Sequence, residues 1–248
     1  MLTKTAAICI HASDFSETSQ ILTFFTKSSG KIKAIAKGSK RPKSSFGGPV
    51  ELLSHGEIVF FDSSREKLAT LSEFDQQPGS TGLADNLLAM NCCLFAAELV
   101  SCLTVDYDPH PQLFDSFLQF LNSIPDTSHE PRAATSLLIL FQLSLLKEVG
   151  LQPVLNRCAN CKTQYTQRKA QYQLYFSASA NGLVCRDCES SFPDKIKLTP
   201  AAANSLANLK LIAESDEKTL NEIESILIHY FTALLHRTPK MAKYILQP

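Results

Sequence analysis

Four cysteines in this chain are spaced for metal chemistry. Cys158-Ala-Asn-Cys161 and Cys185-Arg-Asp-Cys188 are two C-x2-C knuckles with 23 residues between them. A tight turn brings two thiolates of each knuckle onto one ion, and four thiolates complete a tetrahedral zinc shell with bonds of about 2.3 Å. Catalytic zinc keeps a position open for water or substrate. Four cysteines close the shell, so the expected cofactor is one structural Zn2+. Arg157, Lys162 and Arg186 stand beside the ligands and offset the charge of a four-thiolate site. Cys9, Cys92, Cys93 and Cys102 lack ligand spacing and lie in apolar stretches, where free cysteine packs as a small hydrophobe.

A second constellation is electrostatic. The chain holds 24 Lys+Arg against 24 Asp+Glu, yet residues 1–50 carry eight basic residues and two acidic ones. Residues 151–198 are also basic, seven against three, and residues 83–150 are acidic, eight against two. Such asymmetry concerns partners more than fold. Within KIKAIAK (31–37), alternation places Ile32, Ala34 and Ala36 on one face of a strand and Lys31, Lys33, Ile35 and Lys37 on the other. KGSKRPKSSFGG (37–48) continues that stripe with Lys40, Arg41 and Lys43. Lysines and arginines so arranged hold phosphates by charge, without reading sequence. Phe46 follows, either as a stacking platform for bases or as a plug in the core. Gly47-Gly48 offers backbone that can approach a phosphate.

Catalytic motifs are missing. The sequence contains no phosphate-binding glycine loop, no nucleophile elbow and no H-E-x-x-H. Its six histidines are scattered, and Asp106 and Asp108 read as solvated loop charges. The expectation is a binding protein and not an enzyme. No apolar run is long enough to span a bilayer and no signal peptide is legible, so a cytoplasmic location is expected.

The elements that must position these groups follow from periodicity. Residues 6–11, 21–26, 31–37, 50–62 and 68–74 read as five short strands, enough for a small barrel. From residue 83 the apolar spacing changes to three and four, predicting helices over 83–104, 111–124 and 132–150. Thr199-Pro200 starts another helix, and Leu220, Ile223, Leu227 and Phe231 mark the apolar face of the last. The expected fold class is α+β. Its domains are a five-stranded barrel (1–80), an α-helical domain (81–150 and 199–248) and a zinc-binding insertion (151–198).

The loop KGSKRPKSSFGG, the knuckle CANC (158–161) and FSASANGLVCRDC (176–188), in this order, resemble the bacterial RecO recombination-mediator family over essentially the whole chain. One departure is Asn181, where the family usually has glycine; asparagine tolerates positive φ, so the turn survives. The resemblance implies an OB-fold barrel followed by a helical domain with the zinc module. It also implies binding to single- and double-stranded DNA, strand annealing, and a nucleoid-associated role with RecR in loading RecA onto SSB-coated single strands. The expected DNA contacts are Lys31, Lys33, Lys37, Lys40, Arg41, Lys43 and Phe46. A zinc-containing RNA-binding module, such as a translation or ribosome-assembly factor, accounts equally well for barrel and basic loop. A metal-dependent hydrolase is the further rival.

Overall fold

A computed structural model describes residues 2–41, 44–61, 68–77, 86–124, 130–165 and 173–246. The chain forms two compact units, Met1–Pro125 and Asp126–Pro248. The first begins with β1 (Leu2–Asp14), β2 (Gln20–Thr26), β3 (Gly30–Ala36), β4 (His55–Phe61) and β5 (Ala69–Gln76). They close a barrel in the order β1-β2-β3-β5-β4. All pairings are antiparallel except β3 with β5, where Ala34 faces Ala69 and Ile35 faces Thr70. This is the small five-stranded barrel expected from the strand spacing, and the OB-fold that the resemblance implied.

The alternation read in β3 is observed. Ile32, Ala34 and Ala36 are fully buried in the barrel, with Leu22 and Phe24 of β2, Ile58 and Phe60 of β4 and Leu71 and Phe74 of β5. Small alanines on β3 leave room for four aromatic rings, and Phe24 meets Phe74 edge-on at 5.4 Å. Cys9 belongs to this core, and burial pushes its thiol up to about 12.

Two helices complete the unit, α1 (Leu87–Leu103) and α2 (Pro111–Ser123). Asn86 caps α1 by accepting the Ala89 N–H at 3.1 Å. Cys92 and Cys93 are fully buried in α1, as their apolar setting predicted. Pro111 opens α2, where a missing N–H costs nothing. Its Phe114 ring lies 6.2 Å from the Phe25 ring of β2.

The second unit holds α3 (Pro131–Glu148), a small sheet, and α4 (Pro200–Ala207) with α5 (Glu217–Leu235). The sheet is β6 (Leu174–Ser177), β7 (Gly182–Cys185) and β8 (Ile196–Lys197), in the order β7-β6-β8. Thr199 caps α4 through the Ala202 N–H and is itself held by Glu222 of α5, at 2.7 Å from its N–H and 2.6 Å from its hydroxyl. α5 packs on α3 along its apolar face. Among the described residues no helix is long and apolar enough to cross a membrane.

Candidate metal centre and nucleic-acid interface

The two knuckles converge. The sulfurs of Cys158, Cys161, Cys185 and Cys188 all lie within 4.8 Å of one another, and Cys161 and Cys185 are 3.8 Å apart. A tetrahedron with bonds of about 2.3 Å has sulfur–sulfur edges of about 3.8 Å. The donor set and its spacing therefore fit one metal ion. Cys158 is buried and Cys161 exposed, so the site lies at the edge of the unit. Hydrogen bonding to the hydroxyl and backbone of Thr163 holds Cys161 down to about 6, and burial pushes Cys185 up to about 12. An ion binding all four sulfurs must displace the more tightly held proton.

Backbone bonds shape the first knuckle. Cys158 N–H donates to Thr163 O at 2.9 Å, and Lys162 N–H to Cys158 O at 3.0 Å, with Lys162 in the left-handed region at φ 65°. Ala159 N–H donates to Leu183 O at 2.7 Å, which ties this knuckle to the strand that delivers Cys185. The β6–β7 turn is the other support. Asn181 adopts φ 56°, the conformation expected where glycine is usual. Its side-chain oxygen also accepts the Tyr230 hydroxyl of α5, which donates to Leu151 O at 2.8 Å as well. Gly182 must be glycine: at φ 146° a Cβ would meet Val154 O at 2.3 Å.

The basic segment is held at both ends. Gln20 lies inside the barrel mouth. Its side-chain oxygen accepts Ser39 Oγ and Val50 N–H, each at 2.9 Å, and its amide donates to Val50 O at 3.1 Å. Gly38 N–H donates to Ser19 Oγ at 3.2 Å, and Lys40 N–H to Thr18 O at 3.1 Å. Lys33 and Lys37 before these anchors and Arg41 between them are exposed and form no ion pair among the described residues. Lys40 is half-buried and pairs with Asp14 at 2.7 Å. Lys43 lies outside the described residues.

Two expected contacts are placed elsewhere. Lys31 is outward on β3, but segment 104–110 covers that end of the strand. Its ammonium donates to Ser101 O at 2.7 Å and Thr104 O at 2.8 Å, with Asp106 at 3.4 Å. A lysine there satisfies the last carbonyls of α1 and complements the helix dipole. Phe46 is 6% exposed and belongs to the barrel core, which makes it the plug. Gly47 and Gly48 border a cleft of about 710 Å³ whose charged lining is Glu51, Glu73 and Asp75, a poor setting for phosphate.

Comparison with known proteins agrees with this layout. Residues 1–76 match the family described as Recombination protein O N terminal, and residues 84–243 match Recombination protein O C terminal. The chain belongs to the recombination protein O family. It is 29% identical over 238 residues to the DNA repair protein RecO of Bacillus pumilus, covering 93% of this chain and 88% of that protein. It is 31% identical over 221 residues to the DNA repair protein RecO of Rhodopirellula baltica, covering 88% and 78%. It is 30% identical over 206 residues to that of Bacillus subtilis, covering 83% and 76%.

Two supports of this RecO-family site escaped the sequence pattern. Gln20 stands at an inward position of β2, in step with Leu22 and Phe24; a polar residue at a core position was the available signal. Asp194 accepts Ser177 Oγ at 2.8 Å and the Ser179 N–H at 2.9 Å, bracing the β6–β7 turn. Partial burial opposes its charge, but the hydrogen bonds from Ser179 and Ser177 hold its carboxyl down to about 2. Nothing in the spacing of Ser177, Ser179 and Asp194 distinguishes them from an ordinary polar loop.

Proposed function

We propose that this RecO-family chain is a DNA repair and recombination mediator that binds single- and double-stranded DNA without sequence preference. It anneals complementary strands and, with RecR, helps load RecA onto SSB-coated single strands. The observation that carries this reading is the row of exposed cations on and just after β3, Lys33, Lys37 and Arg41, which form no ion pair among the described residues. Lys40 and Lys43 extend the contact set, and Lys31 instead anchors α1. In functional terms residues 1–80 are the nucleic-acid-binding domain, and 151–198 is a metal-stabilised insertion between helical segments 81–150 and 199–248. The metal is one structural Zn2+ in a closed four-thiolate shell, and the protein acts by binding, without catalysis, in the cytoplasm at the nucleoid.

Each neutralised phosphate adds about 0.7 to the salt slope on single strands, so five engaged cations give a slope of about −3.5. The test is annealing of SSB-coated complementary strands by wild type and by the Lys37→Glu/Lys40→Glu/Arg41→Glu variant. The variant is expected to lose annealing and flatten the slope; an unchanged slope places the DNA surface elsewhere. Lys31→Met is expected to leave the slope alone and lower stability by about 2 kcal/mol, because buried carbonyls lose a charged donor. Competition of RNA against single-stranded DNA distinguishes the RNA-binding reading.

A further inference from the structure

Two phenylalanines of the barrel are exposed, Phe61 at the end of β4 and, more so, Phe15 on a different loop from Phe46. Phe15, in the β1–β2 turn, is 60% exposed. A lone exposed phenylalanine needs no explanation by itself; this one is singled out by where it is fastened. Its N–H donates to Ser19 O at 2.9 Å, which closes the turn. Three bonds then tie the turn to the basic segment: Lys40 N–H to Thr18 O, Gly38 N–H to Ser19 Oγ, and Lys40 Nζ to Asp14. Gln20, which follows the turn, pairs with Ala36 at the end of β3. Phe15, Lys37 and Arg41 therefore emerge at the same end of the barrel, from adjoining segments, with Lys33 farther along β3 opposite Thr23.

An aromatic face beside a cationic track is what a single strand requires, since every base has a π-face and every nucleotide a phosphate. The β1–β2 loop and the β2–β3 surface are also where this barrel type meets oligonucleotides. We propose that Phe15 is a base-stacking platform for single-stranded DNA, while Lys33, Lys37 and Arg41 hold the backbone. This rests on the barrel being the DNA-binding surface. It adds a discrimination that charge cannot supply. In a duplex the bases are already stacked and cannot reach the ring, but the phosphates remain available. The platform thus favours unpaired strands and releases them once they pair.

The chain contains no tryptophan, so Phe15→Trp introduces a single indole emitter. Its emission is expected to be quenched by oligo-dT and unchanged by a duplex of equal length. Phe15→Ala is expected to weaken oligo-dT binding about tenfold or more. Its salt slope, duplex affinity and affinity for an abasic oligonucleotide should match wild type. The proposal is overturned if the indole does not respond while oligo-dT binds, or if Phe15→Ala weakens single strand and duplex equally. A different failure marks the underlying reading: binding of oligo-dT that ignores both salt and the Lys37→Glu/Lys40→Glu/Arg41→Glu variant. The two failures are therefore distinguishable in one set of titrations.

Discussion

The barrel and the cysteine-bearing sheet are both small β structures, and they are held by different means. The barrel encloses fourteen buried residues, four of them phenylalanines. Among the described residues, the cluster around the knuckles buries Cys158, Ala159 and Val184, with tyrosines and Phe192 half covering it, and the rest of the sheet buries Leu174, Phe176 and Leu183, with the Phe176 ring 5.5 Å from Tyr230 of α5. Apolar burial stabilises at roughly 25 cal/mol per Å², so the first structure closes on itself and the second needs bonds of another kind. Four thiolates closing on a metal would supply them on the knuckle side, where the buried cluster is small. The chemistry is divided to match: the barrel, closed on its own core, is free to expose cations, and the knuckles bring together four thiols that could hold one metal ion.

Removing the metal tests that contrast most severely. Chelation is expected to cost the second unit about 5 kcal/mol or more, seen as protease cleavage within 151–198 and a lowered melting transition. The barrel's own transition should not move; if it does, the two structures are not independent. Phe46→Ala tests the opposite side. It should destabilise the barrel by about 3–5 kcal/mol in denaturant melts, with the metal-bound unit unaffected. A stacking residue would instead have lost DNA affinity at full stability.

The third prediction concerns the helices that carry the sheet. Glu224 of α5 is fully buried against Gln142 of α3, whose amide donates to it at 2.7 Å. Burial raises its pKa from 4.5 to about 7. The folded value lies above the unfolded one, so this group's stabilising effect is complete below about pH 4.5 and is lost as pH rises to about 7. The loss is about 3 kcal/mol. Glu224→Gln should abolish that slope, as read from melts across the range. The smallest effect is expected at the β6–β7 turn. Asn181→Gly relieves positive φ and removes one of the two acceptors of the Tyr230 hydroxyl, leaving Leu151 O, so stability should shift by less than about 1 kcal/mol. Asn181→Ala loses on both counts and should cost about 2 kcal/mol.

Much of this was legible in order along the chain. Period-two alternation marked the strands because each has one buried face, and the inward alanines of β3 already implied a tight interior. The knuckles were legible because metal geometry restricts short spacings. What covers the outer face was not: nothing in KIKAIAK distinguishes Lys31, under segment 104–110, from Lys33, in the open. That depends on a partner more than seventy residues away, as Thr104 is from Lys31. Phe46 was ambiguous for the same reason, since a ring after a basic loop suits a core or a base equally. Phe15 gave no signal, because its meaning comes from bonds to residues 38–40 that only the folded chain makes.

The approach of segment 104–110 to the barrel depends on a single hydrogen atom, that of Gly30. The turn between β2 and β3 holds it at φ 69°, and a Cβ there would lie 2.4 Å from the backbone nitrogen of Asp108. Segment 104–110 can lie along β3, with Tyr107 N–H donating to Lys31 O at 3.0 Å, only because residue 30 has no side chain. An added methyl at residue 30 would meet the Asp108 backbone and is expected to push the covering segment away and expose Lys31. In genetic terms position 30 is a separation point, where one substitution asks what the barrel's outer face does once segment 104–110 no longer covers it.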